Sequence, residues 1–146
     1  MTDHTIRFFA DDAAVRHVGE GLLARSLPRA EWTHEAHLAA CLYLLSERPE
    51  IDLPRELPGI ISAYNISVSG VNDHGQGYHE TITQLYIRGV RDFLGETAIG
   101  GLCVRVNALL ASERGRRDWP LCFYSPERLF SVAARRGWVE PDLAQI

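Results

Sequence analysis

Apolar residues recur along this chain at spacings of three and four, the repeat of one helix face, nearly from end to end. Val15, Val18, Leu22 and Leu23 make one stripe, with Asp11 or Asp12 placed to cap its start and Pro28 beyond its end, so a first helix is expected to about Leu27. Thr33 is placed to cap a second, from His34 to about Glu47, striped by Leu38, Cys41, Leu42 and Leu45 and stopped by Pro49. A third, from Pro54 to about Val68, carries Leu57, Ile60, Ile61 and Tyr64, with Pro58 and Gly59 weakening its start.

The run "SGVNDHGQG", residues 69–77, is the richest in turn formers and separates this segment from a fourth helix expected over Tyr78–Phe93. A fifth is expected from about Thr97 to Ser112. "SPERLFSVAARRG", residues 125–137, then offers a serine cap, proline at the first helical position, an early acid, late arginines and a closing glycine. The tail "WVEPDLAQI" reads as extended chain lying over the helices through Trp138, Val139 and Leu143. No segment alternates as a half-buried strand would. The expected fold is all-α, an irregular bundle of about five or six helices in a single domain covering 1–146.

Charge removes several function classes. There are 19 acidic against 15 basic residues, for a net charge of -4, which argues against binding nucleic acid or an anionic membrane. Every basic residue is arginine, so Schiff-base and lysine-base chemistry are excluded. Arg114, Arg116 and Arg117, beside Asp118, read as a solvated face. Three cysteines, Cys41, Cys103 and Cys122, are far apart among apolar neighbours and read as reduced, buried thiols of a cytoplasmic protein. No signal peptide is expected, because Asp11 and Asp12 interrupt the N-terminus early, and no run is long enough to span a bilayer.

The chemistry concentrates in two short stretches. In "AEWTHEAHLAACLYLL", His34 and His37 lie on the apolar side of the second helix, four and one residues before Leu38. Two imidazoles held together in a low dielectric must be neutral, paired with acids, or bound to a metal. In "GQGYHET", His79 starts the fourth helix on its inward side. If the two helix starts face each other, His34, His37 and His79 form a three-histidine shell for a divalent transition metal, with zinc, nickel, iron and copper all admissible. Glu80 would then act as general base or hold a histidine from behind, a role also open to Glu35, and the reaction would be hydrolysis of a small molecule.

Tyr64, Asn65, Tyr78 and Thr81 are placed to line the same cleft and contact a ligand. Gly75 and Gly77 either admit an anion to the start of the fourth helix or simply make the turn. His74 is expected in solvent, His17 on the polar face of the first helix, and His4 in a frayed terminus. Two further readings stand beside the metal site: a metal-free module whose pocket binds a small polar or aromatic ligand, and a structural or assembly protein whose histidines are satisfied internally. A homodimer built on an apolar helix face is compatible with the pattern, although no heptad seam specifies one.

The stretches "WTHEAHLAACLYL", "GYHETITQLYI" and "YSPERLFSVAARRGWVEPDL", about a third of the chain, together resemble an uncharacterised family of small bacterial all-helical proteins. In that family an H-x-x-H-L segment, a Y-H-E-T segment and a C-terminal S-P-E-R-L-F-S-x-x-A-R segment recur in this order. The resemblance implies that His34, His37, His79, Glu80 and Thr81 sit in shared motifs, with Ser125, Leu129, Ser131 and Arg135 in the third. It implies no reaction.

Overall fold

The computed structural model describes residues 5–96 and 99–146, and within them the chain is helical with no strand. Seven α-helices are formed by the described residues: α1 (Asp12–Ala24), α2 (His34–Glu47), α3 (Leu53–Ser67), α4 (Glu80–Glu96), α5 (Leu102–Ala111), α6 (Pro126–Leu129) and α7 (Val132–Arg136). Short 3-10 turns at Arg29–Glu31, Glu113–Gly115 and Trp119–Cys122 connect them. No described helix is long and apolar enough to cross a membrane.

The caps explain where the helices begin. Asp11 accepts from the Ala14 N–H at 2.8 Å, and Thr33 from the Ala36 N–H at 3.1 Å. Asp12, the other candidate for α1, serves a different helix: its carboxylate accepts from the Cys103 N–H at 2.7 Å and so caps α5 across the bundle. The α1 helix stops at Ala24, short of the expected Leu27, because Arg25 turns left-handed with φ 57° and its N–H returns to Gly21 and Leu22 carbonyls. Residues 99–101 are not helical and α5 starts at Leu102; its expected start, Thr97, lies outside the described residues.

Helix α2 occupies the centre, packed against α1, α4 and α5. Leu38 to Leu44 are all buried, so the helix is enclosed on nearly every side and not along a single stripe. Pro58 sits inside α3 and removes the N–H that the Pro54 carbonyl would have used. Gln84 of α4 supplies the missing donor, its Nε2 reaching Pro54 O at 2.8 Å. An expected weak point in α3 is therefore also what ties it to α4.

A second apolar cluster lies beside the main core. Leu85, Trp119, Tyr124 and Leu129 are buried in it, and Tyr86 packs against both clusters. At Gly89 of α4 a Cβ would come within 2.6 Å of the Trp119 ring, so a glycine is needed for the indole to lie on the helix. The C-terminal motif, read as one helix, breaks into α6 and α7 at Phe130, and Ser131 caps the second half by accepting from the Ala134 N–H at 3.1 Å. The tail closes on these helices through Tyr124 Oη to Val139 O at 2.7 Å and Leu143 N to Phe123 O at 2.9 Å.

All three cysteines are free, yet only Cys41 is buried. Cys122 is exposed, contrary to the expectation from its apolar neighbours: the 3-10 turn it ends buries Trp119 and Pro120 and leaves its last residue in solvent.

Candidate functional site

The start of α2 builds one wall of a cavity of about 320 Å³ that opens between α2, α3 and α4. Leu22, Leu38, Leu57, Ile61, Ile82 and Ile87 give it an apolar lining, into which Trp32, His34, His37, Cys41, Thr83 and Tyr86 also project. Its size and apolar character are those of a pocket for a small molecule.

Local structure places His37 there. Trp32 precedes the cap residue and His37 is the fourth residue of the helix, the two positions that pair as a hydrophobic staple. Their rings stack with centroids 3.8 Å apart. The His37 Nδ1–H donates to Thr33 O at 2.6 Å, which fixes the tautomer and leaves the Nε2 lone pair as the free ring nitrogen. The His37 side chain is exposed on the cavity wall, and the protein atoms crowded around its ring push its pKa down to about 4, so the ring is a neutral acceptor at pH 7.

His34, one helical turn away, lies between this cavity and the turn at residues 113–118. Its Nε2 donates to Gly115 O at 2.8 Å, and Tyr86 meets its ring edge-on at 5.9 Å. Burial lowers its pKa as well. Cys41 is driven up to about 12 by burial and is an unreactive thiol on the cavity wall.

His79 is not part of this cavity. It is buried, its Nε2 donates to Leu129 O at 2.7 Å, and its Nδ1 accepts from the Ile82 N–H at 3.2 Å. Both ring nitrogens are spent, and binding a metal would break one of these bonds. The expected three-histidine shell is therefore not assembled: among the described residues no three His, Cys, Asp or Glu side chains converge as metal ligands.

The rest of the Y-H-E-T segment is likewise engaged. Tyr78 Oη donates to Glu80 Oε1, an oxygen that also lies 3.4 Å from Gln84 Nε2. Thr81 is fully buried; its hydroxyl donates to Gly137 O at 2.8 Å and accepts from the Val139 N–H at 3.2 Å. His79 and Thr81 thus fasten α6, α7 and the tail to α4. Tyr64 is a core residue whose hydroxyl donates to Leu27 O at 2.9 Å. Asn65 donates to Asn72 Oδ1 at 3.0 Å, within the 69–77 loop closure. None of Tyr64, Asn65, Tyr78, Glu80 or Thr81 lines the apolar cavity.

The amides before α4 are consumed locally. Asp73 accepts from the N–H groups of Gly75 and Gln76, and Asn72 from that of Tyr78 at 3.0 Å. Gly77, with φ 83°, makes the turn. His17 is paired with Glu31 on the surface, His74 meets Arg136 at 3.1 Å in the loop, and His4 lies outside the described residues.

Sequence reading missed Trp32, Tyr86 and Thr83 as cavity residues and missed the burial of Glu35. The staple spacing of Trp32 and His37 was a usable signal for the first. No family model, curated protein or solved structure matches the chain.

The three histidines make stability pH-dependent in one direction. His34, His37 and His79 all have pKa values held below their ordinary 6.5 by burial, so below pH 6.5 the unfolded chain takes up protons that the folded protein does not. Their contribution is full above pH 6.5 and is lost as pH falls towards about 4. Thermal midpoints followed by circular dichroism are expected to be level above pH 7 and to fall steadily below 6.5; a midpoint that rises between pH 6.5 and 4.5 would contradict the assignment.

Proposed function

We propose that this protein is a metal-free binding module for a small, mainly apolar molecule carrying one hydroxyl or N–H donor, which it presents to His37 Nε2 in the cavity behind α2. The observation carrying this reading is an oriented, neutral imidazole acceptor inside an otherwise apolar pocket of ligand size. Apolar walls supply affinity in proportion to the area covered, and the imidazole supplies selectivity. A ligand that covers Nε2 without donating to it strips water from an acceptor and returns nothing, at a cost of about 1–3 kcal/mol. The dispersal of the other donors favours this reading over a metal-dependent hydrolase.

Titration calorimetry with 4-ethylphenol and its O-methyl ether tests the selectivity. The phenol is expected to bind at least ~10-fold more tightly than the ether. His37→Phe keeps a ring to stack on Trp32 but removes the acceptor, and is expected to bring the two affinities together. A chelator is expected to leave both affinities and the thermal midpoint unchanged. Equal binding of phenol and ether to the parent protein, or absence of binding by either, would sink the proposal.

A further inference from the structure

On the opposite side of His34 lies a second cavity, about 300 Å³, between the start of α2 and the turn at residues 113–118. Glu35 reaches it from the second residue of α2 and is only 5% exposed. Its Oε2 takes the Arg7 N–H at 3.4 Å, but Oε1 has no hydrogen-bond partner and is the only buried side-chain oxygen or nitrogen so left among the described residues. A buried carboxylate oxygen without a donor is costly to maintain and marks a place where a donor fits.

The neighbouring charges narrow what that donor can be. Arg114 is committed to Glu96 and Arg116 to Asp118, both through paired hydrogen bonds. Arg117 is half-exposed, and its Nη2 lies 3.8 Å from Glu35 Oε1, close enough to attract but too far to hydrogen-bond. The cavity is thus bordered by one buried carboxylate oxygen without a donor and one half-exposed guanidinium whose N–H groups are open to an acceptor. A simple cation would be repelled by Arg117 and a simple anion by Glu35, whereas a molecule with both charges satisfies each. Ile6 and Leu110 provide an apolar wall for a short side chain.

We propose that this second cavity binds a small zwitterion of the amino-acid type, its ammonium donating to Glu35 Oε1 and its carboxylate accepting from the Arg117 guanidinium. The site shares only His34 with the apolar cavity and does not depend on what binds there.

The test is a nitrogen–proton correlation NMR titration of the labelled protein with each common L-amino acid, followed by the N-acetyl derivative and the decarboxylated amine of the tightest one. At least one amino acid is expected to shift the Glu35, Gly115 and Arg117 amides saturably, and removal of either charge to weaken binding ~10-fold or more. Glu35→Gln and Arg117→Gln are each expected to remove the shifts while the remaining amide resonances keep the parent's positions. Arg117 is a surface side chain, so its variant retains the fold and decides the matter if Glu35→Gln does not fold. Saturable shifts from none of the amino acids, equal binding of the bare amine, or undiminished binding by Arg117→Gln would each overturn the proposal.

Discussion

Gly115→Ala is expected to destabilise the protein by about 3 kcal/mol and to lower its thermal midpoint by roughly 10 °C. A Cβ at this position would lie 2.2 Å from Leu109 O, 2.7 Å from the Leu110 Cα and 2.9 Å from Leu110 O. These are backbone atoms of the last turn of α5. They cannot rotate away as a side chain would. Leu109 O also accepts from both the Ser112 N–H at 3.0 Å and the Ser112 hydroxyl at 2.6 Å, so pushing it aside spoils the helix end.

The same displacement moves Gly115 O away from His34. The His34 imidazole, which donates to that carbonyl, separates the two cavities, so the variant is expected to disturb ligand binding in both as well as stability. Thermal unfolding gives the magnitude, and the His34 ring resonance reports the lost bond. A loss below about 1 kcal/mol would mean that the 113–118 turn yields more easily than this packing implies.

His79→Ala is expected to cost about 2–4 kcal/mol and to loosen the C-terminal segment ahead of the rest of the protein. The substitution leaves Leu129 O and the Ile82 N–H without the partners described, and opens a hole where a buried ring stood. Thr81 to Gly137 then remains as the neighbouring tie between α4 and the final segment, together with Arg135 to Gly77 O at 2.9 Å. Limited proteolysis should therefore cut within residues 123–146 faster in the variant, under conditions where α1 to α4 stay intact.

His79→Gln restores a donor of similar reach and is expected to recover part of the stability. A metal ligand would behave otherwise: chelation of the parent would reproduce the alanine variant, and glutamine would not rescue it. Unchanged cleavage together with a loss under about 1 kcal/mol would remove the pinning role assigned to this histidine.

The histidine pair shows why the site was only half legible. Periodicity put His34 and His37 on one side of α2, where both line the cavity, and the pairing of Thr33 with Ala36 was readable from residue type alone. Periodicity says nothing of what stands opposite. His34 is directed by a carbonyl 81 residues away and His37 by one only four residues away, so two neighbours on one helix face have different partners. Glu35 enters the sequence reading only as an alternative to Glu80, and its burial comes from the 113–118 turn folding over that side of α2.

What the sequence by itself determined is the local order of this protein: helical periods, the caps at Asp11, Thr33 and Ser125, and an all-α bundle. Those features follow from interactions within a few residues. The tertiary structure alone decided that Asp12 caps α5, that Gln84 repairs the break made by Pro58, and that His79 and Thr81 hold the C-terminal segment. It also decided that the free acceptor and the unpartnered carboxylate open into two separate cavities. Each of these depends on a donor and an acceptor brought together from distant parts of the chain, and hydrogen bonds formed that way leave no period in the sequence.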